Sequence, residues 1–182
     1  MRQRKVFVTI DDDRTYRRVT VQLHGRGIVE RDVVSGGLIK IKSQQVIRAD
    51  DFLVAEIDAK VGGFGIVPAN LDGAIVSSHY FTFEIDAATL LPRFLAILVR
   101  VGMVTREIEK FVRGSLNYAA IRPRHVVEAC IPYASVFEQQ AIVDAVARVD
   151  EIRTATKNQL EALEALPAAL LRQAFKGRDS DE

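Results

Sequence analysis

The densest grouping of reactive side chains is Glu56-Ile57-Asp58-Ala59-Lys60, with Asp50 and Asp51 just upstream. Two carboxylates and a lysine at a strand end form the loose pattern by which nucleases hold a metal ion and set a cation beside the attacked phosphate; Asp58 and Lys60 would be the acting pair. The signal is weak, because carboxylate-x-lysine triplets are common and a strand end exposing alternate charges accounts for the same residues. Gly62-Gly63-Phe64-Gly65 could cradle a nucleotide if a helix N-terminus followed. Ile66-Val67-Pro68 follows instead, which favours a hairpin or bulge. His24, His79 and His125 are far apart and match neither a zinc spacing nor a Ser-His-acid set. An amino-methyltransferase needs an Asn-Pro-Pro-Tyr-like loop, and Ile131-Pro132-Tyr133 lacks the asparagine. No catalytic set and no metal site emerge.

What remains is a binding surface. Arg14, Arg17, Arg18, Arg26, Arg31, Lys40 and Lys42 lie on or beside strands of the front, while Arg113, Arg122 and Arg124 flank Gly114-Ser115-Leu116-Asn117-Tyr118. Lysine and arginine serve phosphates, and Arg, Asn and Ser can also read base edges. The expected DNA-facing set is therefore Arg17, Arg26, Arg31, Lys42, Arg113, Ser115, Asn117, Tyr118 and Arg122. A competing reading, from charge alone, is a solvated surface on a protein-interaction adaptor that never touches DNA. A DNA reader should gather its arginines into one concave patch, whereas an adaptor should scatter them.

These residues need a scaffold, and its elements show in the periodicity. Tyr16 to Leu23 alternates, with Val19, Val21 and Leu23 on one face and Arg18, Thr20 and Gln22 on the other. Further short strands are expected at Lys5 to Ile10, Leu38 to Ile41, Phe52 to Ile57, Phe64 to Val67 and Ala74 to Ile85, with glycines at their ends. Pro92 in a first turn, then Phe94, Leu95, Leu98 and Val101, predict a helix. A second should run from Thr105 to Arg113 and stop at Gly114, after which Arg122 to Ile131 reads as extended.

The tail is a different object. Ser135 and Glu138 form a capping box that opens a helix. Ile142, Val146, Val149, Ile152, Leu160, Leu163 and Leu166 then recur every three or four residues, with a polar irregularity near Thr156 and Gln159. Pro167 is expected to break or kink the helix, leaving Ala168 to Phe175 as a last short turn before Gly177. The stretch from Val136 to Leu166 would be roughly 46 Å long at 1.5 Å per residue. One apolar face on such a helix needs a partner: its own domain, a second copy, or a helix of a larger enzyme subunit.

Composition agrees with a packed protein. The chain has 182 residues, enough for one domain with an appendage, and its 48% hydrophobic and 27% charged content argues against disorder. Net charge is +1, but residues 1–135 hold 19 Lys and Arg against 15 Asp and Glu, a net of +4, and the remainder holds 6 against 9, a net of −3. A basic front and an acidic tail permit phosphate binding by the front. No run of 18 apolar residues occurs, and MRQRKVFVTIDDD matches no signal peptide, so a cytoplasmic protein without a membrane span is expected. The single Cys130 can form no internal disulfide.

Read together, two segments resemble a known family. Tyr16-Arg17-Arg18-Val19-Thr20-Val21 through Gly25-Arg26-Gly27, then Phe52 to Ala59, Gly63 to Pro68 and Leu71 to Ser77, is similar to target-recognition domains of type I restriction-modification specificity subunits. The back resembles the same family in Ile131-Pro132, in Glu138-Gln139 opening a long helix, and in Leu170-Leu171-Arg172-Gln173-Ala174-Phe175-Lys176-Gly177. The resemblance implies an α+β fold: a mixed, sheet-rich recognition domain over residues 1–134, and over 135–182 a long helix that pairs antiparallel with a partner helix. It also implies a subunit without catalysis, which binds double-stranded DNA and docks methyltransferase subunits, with a restriction subunit as a further partner. S-adenosylmethionine, ATP and magnesium would belong to those partners, and none to this chain. Family members usually carry two recognition domains and two helices, and here there is one of each. A homodimer through Ile142, Val146, Val149, Ile152, Leu160 and Leu163 would restore the arrangement and would read an inverted repeat.

Overall fold

The computed structural model describes residues 1–112, 121–132 and 134–176. Nine strands precede the helices: β1 (Arg2–Arg4), β2 (Phe7–Thr9), β3 (Thr15–Gln22), β4 (Gly27–Ser35), β5 (Ser43–Val46), β6 (Phe52–Ala55), β7 (Phe64–Ile66), β8 (Ile75–Val76) and β9 (Tyr80–Glu84). The helices are α1 (Pro92–Arg100), α2 (Met103–Val112), α3 (Pro123–Glu128) and α4 (Val136–Lys176). The fold is α+β, with two compact units, Met1–Gln140 and Ala141–Glu182.

Two sheets organise the first unit. One has the order β1-β9-β6-β7 and the other β2-β5-β8-β3-β4. Alternation along β3 turns Val19 and Val21 into a core with Ile28, Ile47, Leu53, Val67, Leu71, Ala74 and Val76. Tyr16 goes to the opposite face and joins a second core built on Ile10, Ile39 and Ile75. The five-stranded sheet is thus covered on one side and in part on the other. In the other sheet Phe52 stands opposite Phe83 in the antiparallel register, with Phe64 on its other flank at a ring distance of 5.7 Å. Helix α1 presents Phe94, Leu95, Leu98 and Val99 to the interior.

Four expectations need correction. Leu38 to Ile41 is not a strand; a 3-10 turn at Gly36–Leu38 takes its place. The turn forms because Gly36 lies against the chain at Asp11, where an added Cβ would collide with the Asp11 carbonyl oxygen, and its N–H donates to Arg14. Ala74 to Ile85 is two strands, in different sheets, parted by a turn at residues 77–79. Within the segment Arg122 to Ile131, helix α3 forms: Pro123 occupies its first turn, and the Arg122 backbone N–H donates to Nδ1 of His125 at 3.2 Å. That side chain satisfies a donor the helix leaves orphaned. Finally, α4 continues through Pro167 to Lys176. Proline removes one backbone bond, to the carbonyl of Leu163, and the turns on either side hold. The predicted stop of α2 at Gly114 falls outside the described residues. Strands β1, β4 and β5 were not expected from periodicity: β4 carries Glu30-Arg31-Asp32 across its middle, which hides its alternation.

The capping box forms as read, with the Ser135 hydroxyl and backbone N–H both donating to the Glu138 carboxylate at 2.7 Å. Those bonds, the hydroxyl first, hold the Glu138 pKa below its ordinary value. The next residue, Gln139, is buried. Its Oε1 accepts from the Leu91 N–H at 2.8 Å, and its Nε2 donates to the carbonyls of Thr89 at 3.0 Å and Ala134 at 2.8 Å. One amide thereby ties the first turn of α4 to the N-terminus of α1, which is why this turn belongs to the first unit. Gln139→Met keeps the volume and removes all three bonds, so a loss of about 1–3 kcal/mol is expected in urea unfolding.

Candidate nucleic-acid interface

The cations of the front are set by the β3–β4 hairpin. Arg18 stands opposite Asp32 and Val19 opposite Glu30, so the register slips by one residue and Arg31 is the extra residue of a β-bulge. Bulges re-aim a side chain out of the ladder. Arg18 closes on Asp32 with Nε and Nη2 at 2.7 and 2.6 Å, a two-pronged charge-assisted pair. The bonds to Arg18 hold the Asp32 pKa down, and the Arg18 pKa is raised in return. Arg31 reaches the same carboxylate only at 3.7 Å and keeps 61% of its side-chain surface exposed.

The Asp32 shift has a pH signature. A carboxyl with a lowered folded pKa contributes stability above its unfolded pKa, around 4, and loses it as pH falls through the folded value. The gap in melting temperature between the native protein and Asp32→Asn should therefore stay constant from pH 7 to 5 and close below pH 4. A gap that widens in acid would contradict the pairing.

The remaining predicted cations are placed as follows. Arg17 donates to the Asn70 carbonyl at 2.5 Å and pairs with Glu30 at 3.1 Å. Lys42 bonds the Asp12 carboxylate at 2.5 Å and the Gly36 carbonyl at 2.8 Å. Arg26 is exposed and donates to Leu23 at 3.2 Å. Arg122 opens α3. Arg113, Ser115, Asn117 and Tyr118 lie outside the described residues. The structure brings Arg31 and Arg18 together with Lys40 in one cleft of about 430 Å³ and leaves Arg17 and Lys42 off its lining. Tyr80 also lines that cleft, its phenol pKa raised by burial and then by Asp58. Sequence reasoning gave Tyr80 no role. Its one signal, an aromatic at a strand start, is shared by many core residues.

The nuclease grouping is dispersed. The Asp58 carbonyl accepts from Val61 and Gly63 in a tight turn, Glu56 faces His79 at 3.4 Å, and Asp51 is buried against Arg4. Among the described residues no three of His, Cys, Asp and Glu converge as a metal site, and no helix is long and apolar enough to cross a membrane.

In the second unit the predicted seam is open to solvent. Ile142, Val149, Ile152, Leu160 and Leu163 are exposed, as are Leu166, Leu170, Leu171 and Phe175 beyond them; Val146 is half-buried.

No protein-family model and no curated protein matches the sequence significantly. Solved structures do match. The chain superposes on the HsdS subunit from Thermoanaerobacter tengcongensis with a TM-score of 0.67 and 23% identity, over 90% of this chain and 42% of that one. The chain shares the HsdS fold. A chain from a structure addressing complex assembly and conformational transition of the type I R-M system matches with a TM-score of 0.65 and 19% identity, over 93% of this chain and 49% of that one. This chain therefore spans less than half the length of either HsdS-like neighbour.

Proposed function

We propose that this chain is a DNA sequence recognition component of a type I restriction-modification system, without catalysis of its own. The observation that carries the reading is the HsdS-like fold over nine-tenths of the chain. The first unit would hold a DNA half-site through its basic hairpin and residues 113–120 of the sequence. Helix α4 is 41 residues long, roughly 62 Å at 1.5 Å per residue, and its exposed apolar seam would pair antiparallel with a second copy. The resulting spacer exceeds one turn of duplex, about 34 Å, so two half-sites in inverted repeat can be spanned. Methyltransferase subunits would dock on the assembly and bring S-adenosylmethionine; ATP and magnesium would serve a restriction subunit. The working compartment would be the cytoplasm.

Light scattering after size exclusion, followed by selection from a random duplex pool, tests this reading. A dimer that enriches a bipartite inverted repeat supports it. A monomer with a single-half footprint overturns the dimer, and no enrichment overturns DNA recognition. A second reading, an adaptor docking through α4 without DNA, is favoured by the pairing of Arg17, Arg18 and Lys42 with Glu30, Asp32 and Asp12. The same selection separates the two.

A further inference from the structure

We propose that the bulge cleft reads base edges in the DNA major groove, with Leu38 and Ile41 packing on thymine methyl groups, Arg31 on guanine and Lys40 on the flanking phosphate. The inference rests on the DNA reading above and names where on the chain the sequence is read.

Three cations, Arg18, Arg31 and Lys40, line the cleft, and among the described residues no carboxylate does. Asp32 already holds Arg18 with both oxygens. Among the described residues Lys40 makes no ion pair, and Arg31 stands off at 3.7 Å, so the outward charge is positive and available to a polyanion. The bulge is what frees Arg31: in regular register it would face a ladder partner.

Beside these cations stand two large aliphatic side chains open to solvent, Leu38 at 76% exposure and Ile41 at 65%. They are not on a loose loop. Ile39 between them is buried in the core with Ile10 and Ile75. The segment is tied at one end by Gly36 and Gly37, whose N–H groups donate to Arg14 and Asp12 at 2.7 and 3.2 Å. At the other end, Lys42 bonds Asp12 and Gly36, and the Gln44 amide donates to the Ile41 carbonyl at 2.7 Å. A fixed segment that holds two aliphatics in water beside Lys40 and the loosely paired Arg31 is a surface shaped for a partner that is both anionic and patterned with apolar groups. The major groove is such a partner: it offers guanine O6 and N7 to an arginine and the thymine C5-methyl to aliphatic side chains, between two phosphate rails.

The test uses the full chain and a duplex selected by it from a random pool. Lys40→Ala should lower the slope of log affinity against log salt by about one and weaken selected and random duplexes alike. Arg31→Ala should cost on the order of 10- to 100-fold on the selected duplex and far less on random sequence. Replacing thymine by uracil in the selected site removes the methyl groups. It should weaken the native protein several-fold and leave the double variant Leu38→Ser, Ile41→Ser indifferent. All four side chains are exposed, so unchanged melting temperatures confirm that the variants fold. If the native protein enriches no duplex, the DNA reading itself fails. If it enriches one and the variants match it in slope, specificity and uracil response, the cleft assignment alone is overturned. It is overturned equally if the double variant keeps DNA binding but loses a methyltransferase subunit, since the aliphatics would then serve a protein.

Discussion

Asp51→Ala should lower the unfolding free energy by about 3–5 kcal/mol, the range for breaking one side of a buried ion pair. Asp51 and Arg4 keep only 5% and 10% of their side-chain surface. The Asp51 carboxylate bonds the Arg4 guanidinium and also accepts the Arg48 backbone N–H at 2.8 Å. Arg4 donates to the Val46 carbonyl at 3.1 Å as well. Among the described residues its Nε and Nη1 find no hydrogen-bond partner. Removing the carboxylate therefore strands a buried cation that is already under-satisfied, and the strand pairing of β1 at the sheet edge weakens with it. At 2–4 °C per kcal/mol for a chain of this size, the melting temperature should fall by roughly 6–20 °C. The double variant Arg4→Met, Asp51→Leu tests the cause. It removes both charges and fills their space, and its loss should be much the smaller. Equal losses would mean that the site matters only for packing.

Phe52→Ala is expected to be about as damaging, roughly 3–5 kcal/mol by large-to-small substitution in a core. Phe52, Phe64 and Phe83 are all essentially without solvent exposure. Phe52 is the middle ring, 5.7 Å from Phe64 and 6.5 Å from Phe83. It sits on β6, hydrogen-bonded to β7 on one side and β9 on the other, so the cavity cannot close without moving two strands. Phe52→Leu leaves less empty volume and should lose less than half as much in urea unfolding. A leucine variant as unstable as the alanine one would show that ring geometry, and not volume, sets the value.

Several features of the site were visible before the fold. Arg31 is one of the cations expected on or beside strands of the front, and it lines the cleft. The hairpin that carries it was only half visible. The alternation in β3 is clean because Val19 and Val21 are buried on one face while Arg18, Thr20 and Gln22 on the other stay half-buried or exposed. The alternation in β4 is broken by the bulge at Arg31, which shifts the inward positions by one residue. Leu38 to Ile41 reads as a strand because its residues favour extended backbone. Gly36 lying against Asp11 makes it a turn, and that contact spans 25 positions of the chain. Arg122 to Ile131 reads as extended from its β-branched residues, but Pro123 and the His125 ring next to it make a helical start.

By itself the sequence determined what depends on neighbours in the chain. The β3 alternation, the Pro92 start of α1, the Ser135–Glu138 capping box and the three-to-four spacing of apolar residues from Ile142 to Leu166 are all interactions within a few residues, and their periodicity is legible. Tertiary structure alone decided which charges are neutralised and which face outward. Arg17 and Glu30, Lys42 and Asp12, Arg4 and Asp51 meet only when segments 13, 30 and 47 positions apart are folded against one another. The same is true of Gln139, whose partners Thr89 and Leu91 lie 50 and 48 positions away. The reason is physical: a charge in water carries no sign of its future partner, and a register slip of one residue, as at Arg31, turns every later side chain to the opposite face.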